Sequence, residues 1–364
     1  MEVKYLSMAG AAFDFAAPPV NFKRCNAGLI SDTFFIDCGE GMPGYILQKI
    51  NTEIFREPEK LMSNIKGVCT HVAKKIEEAG GDPLREVRTV ISTKSGEDYF
   101  VDPEGCYWRA FLEISDVVSY DYPETPELFH KSAVAFGRFA RQLADYPCNT
   151  LYETIPDFHN SVSRMEQFKA AVADDKMGRA EEMASEIEFA LSKAPLCSYI
   201  IDGLSDGRFR TCVTHNDTKI NNVLLDKHTG EGVCIIDLDI VMPGSILYDF
   251  GDAIRFGAST ALEDETDLSK VSLDLSMFET FVDGFVGELR DSMTEDEILS
   301  LPMGAYLMTL ETAIRFLGDY LNGDVYYHIR YPEHNRDRAR NQLALLRDMD
   351  SKMEEMKAIV ARYL

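Results

Sequence analysis

The chain has 364 residues, 45% of them hydrophobic, a composition that fits a globular protein with a sizeable core and room for two lobes. Its formal net charge of −24 at pH 7 argues against nucleic acid and against an anionic membrane surface as partners. The 8 cysteines form no C-x-x-C pair, and no stretch reads as a signal peptide or a membrane span, so reduced thiols in a cytoplasmic protein are expected.

Residues 1–20 are Ala-rich and end in Pro18-Pro19, which fits a short helix or an extended arm. From Phe22 the pattern is strand–turn–strand (FKRCNAGLISDTFFID). Its turn, Asn26–Asp32, holds one glycine, Gly28, and no G-x-G-x-x-G. Gly44–Asn51 reads as the next strand. Glu57 to about Ala79 is predicted helical: Leu61, Ile65, Val68, Val72 and Ile76 form one apolar stripe, Pro58 suits the first turn, and Gly80-Gly81 stops it. Strand signals follow at Glu86–Thr93, Tyr99–Asp102 and Tyr107–Glu113, with turns at Ser95-Gly96 and Pro103–Gly105. Trp108 reads as a core residue.

Residues 125–200 turn helical, first on the stripe Phe129, Ala133, Phe136, Ala140 and Leu143, then from Phe168 to Leu191 with a break near Gly178. His159 has no partner at metal-ligand spacing and reads as a surface or core histidine. Beyond residue 257 the helical signals are Ser276–Leu289, a capping box at Thr294 and Glu297, Leu307–Leu321, and about Glu333–Leu364 with a Met-rich core stripe.

Between these helical blocks, Val213–Gly257 carries the chemistry. His215, Asp217 and Asn222 stand in the order H-x-D-x-x-x-x-N. After a turn at Asp226–Gly232, the apolar run Val233–Ile236 reads as a buried strand ending on Asp237. Mg²⁺ takes hard oxygen ligands, one or two carboxylates with phosphate oxygens and water. Asn222 and Asp237 can supply such ligands. Asp217 would then orient an acceptor hydroxyl and take its proton. His215 would brace the loop from beneath. Asp249, in Tyr248-Asp249-Phe250-Gly251-Asp252, is placed to accept backbone N–H groups. Asp239 lies two residues past Asp237, on the same strand face.

This arrangement resembles the aminoglycoside phosphotransferase branch of the protein-kinase-like superfamily, which carries H-x-D for H-R-D and I-D-x-x for D-F-G. The resemblance implies an α+β, bilobal protein-kinase-like fold. A small β-sheet N-lobe over residues 1–113 would bind the nucleotide. A larger, mostly helical C-lobe over 114–364 would carry catalysis and the acceptor site. The cofactors implied are ATP and Mg²⁺. Within that family, YILQKIN, THNDTKINNVLLD, IIDLDIVMPGSILYDFGDAIRFGASTALEDE, FVGELR and RFLGDY…YPEHN resemble the N-acetylhexosamine 1-kinases. These phosphorylate N-acetylglucosamine and N-acetylgalactosamine at the anomeric hydroxyl, so a small-molecule sugar is the implied substrate.

Carried over position by position, the family's catalytic Asp falls on Asp217 and its Mg²⁺ ligands on Asn222 and Asp237. Sugar contacts fall on Asp217, Arg315 and Tyr326. Asp239 would meet sugar hydroxyls or metal, or only support the loop. The turn Asn26–Asp32 takes the place of a loop over the ATP phosphates. Gln48 stands where protein kinases carry the phosphate-pairing lysine of V-A-I-K, with Lys49 beside it. Neighbouring strand residues face opposite ways, so either Gln48 makes a neutral contact or a register shift brings in Lys49. Phe111–Ile114 falls at the hinge, where the backbone of Phe111 and Glu113 would meet adenine. Without the resemblance, Glu311, Arg315 and Asp319, spaced by four, read as pairs along one helix face. The same fold also admits an aminoglycoside, choline or homoserine acceptor, or a non-catalytic pseudokinase. Choline would call for an aromatic cage, and the sequence identifies none.

Overall fold

The structure, a computed structural model, describes residues 4–25 and 31–364. Most of the turn Asn26–Asp32, Gly28 included, lies outside the described residues. The fold is α+β, with a small antiparallel sheet and a helical part, and it divides into two compact units. The first comprises Met1–Ser119, Gln142–Pro156 and Val223–Pro243; the second comprises Tyr120–Arg141, Asp157–Asn222 and Gly244–Leu364.

The first unit begins with helix α1 (Leu6–Ala12). Its sheet holds β1 (Asn21–Cys25), β2 (Asp32–Asp37), β3 (Tyr45–Lys49), β4 (Val90–Ile91), β5 (Phe100–Val101) and β6 (Tyr107–Leu112). Their order is β1-β2-β3-β6-β4, with β5 also on β6. Alternate strand residues share a face. Phe34, Ile36, Tyr45, Leu47, Trp108 and Ala110 therefore pack together with Ala9, Phe13 and Phe15 of the N-terminal segment. Trp108 is fully buried, and its indole N–H donates to Asp102 Oδ2 at 3.0 Å, so its polar tip is satisfied. Gln48 and Arg109 face each other across β3 and β6.

Helix α2 (Pro58–Glu78) buries the predicted stripe, and Gly80, at φ +80, ends it in a conformation that costs glycine little. The strand expected over Glu86–Thr93 shrinks to the two residues of β4. Asp82 accepts the Leu84 N–H at 3.0 Å, and with Pro83 it starts helix α3 (Pro83–Glu86), which occupies the chain up to Glu86.

A second antiparallel sheet joins β7 (Val117–Val118), β8 (Val223–Asp226) and β9 (Gly232–Ile235) in the order β9-β8-β7. β9 stops before Asp237. Asp237 adopts φ 61, in the left-handed region, and a 3₁₀ turn follows over Leu238–Ile240. Asp239 therefore sits in a turn and does not share a strand face with Asp237. The left-handed residue redirects the chain, and the hydrophobic pattern does not encode it.

The second unit contains α4 (Pro126–Gln142), α5 (Ser161–Asp174), α6 (Ala184–Ser192), α7 (Tyr199–Asp206), α8 (Ile246–Gly257), α9 (Leu275–Leu289), α10 (Glu295–Leu299), α11 (Leu301–Asn322) and α12 (His334–Val360). α11 is buried almost all round, with α5, α8 and α12 packed against it. α8 and α11 meet backbone to backbone: a Cβ at Gly251 would lie 2.4 Å from the Gly304 carbonyl oxygen. The capping box forms as predicted, with Thr294 Oγ1 accepting the Glu297 N–H at 3.1 Å and Glu297 Oε2 accepting the Thr294 N–H at 2.9 Å. Among the described residues no helix is long and apolar enough to cross a membrane.

Candidate active site

The short strand Cys212–Thr214 leads into the loop His215–Asn222. Asn216 holds φ 66, a left-handed conformation that asparagine tolerates better than most residues. Asp249, in the first turn of α8, secures it: Oδ2 accepts the His215 N–H at 2.9 Å and Oδ1 accepts the Asn216 N–H at 2.7 Å. Burial pushes the Asp249 carboxyl up, against the pull of His215 and these N–H groups. Asp252 continues the support by accepting the Thr218 N–H at 3.1 Å. His215 is fully buried against the edges of Phe136 and Phe139, and its Nδ1 accepts the Asp217 N–H at 3.2 Å. The histidine braces the loop, as the sequence led us to expect, by accepting a backbone hydrogen bond.

The side chain of Asp217 is oriented from two sides. Asn222 Nδ2 donates to Asp217 Oδ2 at 2.9 Å and to the Asp217 carbonyl at 2.8 Å. Lys219 Nζ lies 2.6 Å from Asp217 Oδ1. Burial, the largest single effect, would raise the Asp217 pKa, but the charge and hydrogen bond of Lys219, together with His215 and the Asn222 hydrogen bond, outweigh it and hold the carboxyl below the ordinary carboxylate range. Because Asn222 spends its N–H₂ group on Asp217, its Oδ1 is left as an acceptor with no hydrogen bond among the described residues. That hard oxygen suits Mg²⁺. The sequence reading overlooked Lys219; the signal was the D-x-K spacing within the motif itself. Lys219→Met removes the opposing charge, so the acid limb of the kcat–pH profile moves to higher pH. Superimposable acid limbs for wild type and variant would refute this role.

Behind the loop stands a buried network. His159 Nδ1 lies 2.9 Å from Glu311 Oε1, and its Nε2 lies 3.2 Å from the Asn216 carbonyl. Ser161 Oγ donates to Glu311 Oε2 at 2.9 Å. Burial pushes Glu311 up, yet His159, Arg315 and Arg164 more than offset it and keep the carboxyl below its ordinary range. His159 is thus a core histidine with two partners that the sequence did not reveal. Arg315 lies 3.9 Å from Glu311, the helical pair that spacing allows. Its guanidinium carbon also lies 5.3 Å from the Phe158 ring centroid, 5.8 Å from Tyr326 and 5.6 Å from Tyr327. Tyr326 is 60% exposed. Asp319 does not pair with Arg315. It accepts the N–H groups of Val325 (3.0 Å), Tyr326 (2.9 Å) and Tyr327 (3.0 Å), and the Asn335 amide at 2.9 Å.

In the first unit, Gln48 Oε1 accepts from Arg109 Nε at 3.0 Å, and Gln48 Nε2 donates to Thr33 Oγ1 at 3.1 Å. Lys49 pairs with Trp108 in register, on the opposite face. Contact with the Cys106 thiol holds its amine above the ordinary lysine range. The register runs through this pair of strands without a shift. Asp239 is buried, and its carboxylate is engaged by Arg109 at 2.5 and 2.9 Å. Asp237 is exposed. Phe111 lies under the Arg88 guanidinium, 4.2 Å from the ring centroid. The Glu113 N–H is committed to the Gly44 carbonyl at 3.0 Å. Arg109 was absent from the residues singled out in the sequence, since nothing in a strand pattern marks a buried arginine.

Residues 21–271, more than half of the chain, match the model of the phosphotransferase enzyme family. Solved structures share the fold. A microcompartment-associated aminopropanol kinase aligns with a TM-score of 0.58 at 16% identity, over 98% of this chain and 99% of its own. Ethanolamine kinase of Plasmodium vivax gives 0.55 at 13%, over 91% of this chain and 84% of its own. A spectinomycin phosphotransferase, solved in complex with ADP and spectinomycin, gives 0.52 at 14%, over 94% and 95%. With its H-x-D-x-x-x-x-N loop and its protein-kinase-like fold, the chain belongs to the phosphotransferase enzyme family.

Proposed function

We propose that this phosphotransferase is a cytoplasmic, ATP-dependent kinase that phosphorylates the anomeric hydroxyl of an N-acetylhexosamine, GlcNAc or GalNAc. Residues 1–113 hold the nucleotide, with β3 toward the phosphates and Phe111–Glu113 at the base. Residues 114–364 hold the acceptor. Asp217, kept anionic by Lys219, orients the acceptor hydroxyl and takes its proton. Asn222 Oδ1 and the Asp237 carboxylate are the protein's ligands for Mg²⁺, which when bound neutralises charge on the β- and γ-phosphates. Arg315 and Tyr326 contact the sugar.

The observation that carries the choice of acceptor is the state of the aromatic cluster. Phe158, Tyr326 and Tyr327 surround a cation, and that cation is the protein's own Arg315. A choline or amino-alcohol head group seeks such aromatic faces. Here it would find them taken and would meet a like charge. A neutral sugar instead gains a hydrogen-bond donor for its acetamido carbonyl or ring hydroxyls. The second reading is an amino-alcohol or aminoglycoside acceptor, in keeping with the net charge of −24 and with the kinases that share the fold.

The test is a transfer assay with ATP and Mg²⁺ against GlcNAc, GalNAc, glucose, amino alcohols and aminoglycosides, with the product's phosphate located by NMR. N-acetylated hexosamines are expected to outperform glucose, because a pocket built for an acetamido group leaves polar groups unpaired when that group is missing. Phosphate is expected on the anomeric carbon. Phosphate at O6, preference for glucose, or fastest turnover of an amine-bearing acceptor would each defeat the proposal.

A further inference from the structure

Gln48 occupies the place in β3 where a phosphate-pairing lysine is the expectation, yet both ends of its amide are already engaged. Its oxygen receives Arg109 Nε and its nitrogen donates to Thr33. Arg109 is 3% exposed, and its two terminal nitrogens donate to the two oxygens of Asp239. This fork pairing is directional, and removing either partner strands a charge in the interior. Asp239 lies in the 3₁₀ turn that begins after Asp237. The same turn is held at the Asp239 carbonyl by Thr154 Oγ1 at 3.0 Å. Asn64 Nδ2, from α2, holds the Val241 carbonyl just beyond it at 3.2 Å. Asp237 itself has a left-handed backbone, which aspartate adopts more readily than most residues and which turns the chain into this segment.

We propose that Gln48 and Arg109 are positioning residues for Asp237, acting through Asp239, and that Gln48 is a strut of this clamp and makes no phosphate contact. The inference rests on the reading of Asp237 as a metal ligand and takes nothing from the identity of the acceptor. It also gives a reason for the glutamine. Arg109 Nε needs an acceptor, and Gln48 Oε1 is that acceptor. A lysine there would offer no acceptor and would add a further cation beside a buried arginine that already has Arg88 near it and both terminal nitrogens committed to Asp239. Restoring the protein-kinase residue type therefore damages this enzyme.

The variants are Gln48→Lys, Gln48→Glu, Arg109→Gln, Asp239→Asn, and the double Arg109→Gln/Asp239→Asn. Three quantities are read on the full chain: amide hydrogen exchange over residues 236–241, ADP affinity by calorimetry with Mg²⁺ titrated, and the acceptor KM apart from kcat. Gln48→Lys is expected to speed exchange at 236–241 while the β8 and β9 amides stay protected. It should raise the Mg²⁺ needed for half-maximal ADP binding roughly 10–100-fold, the usual loss when the support of a metal ligand is removed, and leave the acceptor KM within a few-fold. Gln48→Glu keeps an acceptor for Arg109, so exchange and ADP affinity should stay near wild type; a phosphate contact at this position would instead lose ADP binding to charge repulsion. The double variant should recover part of the loss in Arg109→Gln, because no uncompensated charge remains. Unchanged exchange at 236–241 in every variant, tighter ADP binding in Gln48→Lys, or collapse of ADP binding in Gln48→Glu would overturn the proposal. The exchange and calorimetry arms need no acceptor, so failure of every sugar in the transfer assay leaves them decisive.

Discussion

Asp217→Asn lowers kcat by about 10²–10⁴-fold, the range that positioned general-base help supplies, while calorimetric affinity for ADP with Mg²⁺ changes little. The substitution keeps the size of the side chain and an oxygen to receive Asn222 Nδ2, which in the native chain sits 2.9 Å from Asp217 Oδ2. It removes the negative charge and the site proposed to take the acceptor's proton. Lys219, 2.6 Å from the carboxylate, then loses its ion partner but keeps its charge. Nucleotide affinity can even rise, because an anion near the phosphates is gone. If kcat stayed within a few-fold of wild type while ADP binding collapsed, Asp217 would be a nucleotide-site residue, and another base would be needed.

Asp237→Ala is expected to abolish measurable transfer, and extra Mg²⁺ should not restore it. A carboxylate is the one anionic metal ligand the proposed pair supplies, and without it the phosphate charge is poorly neutralised as it shifts toward the leaving group. Asn222→Ala should be milder at the metal, where water can replace an amide oxygen. It also deletes both donors to Asp217, so its defect should include a lower kcat at saturating Mg²⁺ as well as a raised metal requirement. Rates measured across an Mg²⁺ titration separate the two effects. Near-wild-type turnover of Asp237→Ala at saturating Mg²⁺ would end the metal assignment.

The sequence carried the parts of this molecule that depend on local rules. The stripe and caps of α2 foretold its ends, the Thr294–Glu297 box foretold the start of α10, and Asp249 was readable as a receiver of N–H groups, though not that they come from His215 and Asn216. What escaped were contacts that only tertiary structure creates. His159 and Glu311 lie 152 positions apart, and Arg109 and Asp239 lie 130 apart. No periodicity links such pairs. The β4 strand was overestimated because β-branched residues around Val90 mask a capped turn just before them. The place of Asp239 was misjudged because strand alternation was carried through a residue with positive φ. That Gln48 and Lys49 face opposite ways was legible from alternation, but that Arg109 is the residue across from Gln48 was not, since register decides it.

On the proposed contact between Tyr326 and the sugar, the four hydrogen bonds that converge on the Asp319 carboxylate bear on how acceptor preference could be moved between relatives. Val325, Tyr326 and Tyr327 are tied by their backbone to a carboxylate near the end of α11, and Asn335 at the start of α12 shares that carboxylate. The segment is therefore arranged before a substrate arrives, and binding does not have to bear the entropy of ordering it. Its shape belongs to two helices as much as to its own residues. A chimaera that exchanged only the residues between those helices would carry the aromatic side chains but not the anchor that aims them. The transplantable piece runs from Asp319 through Asn335, with both anchors included.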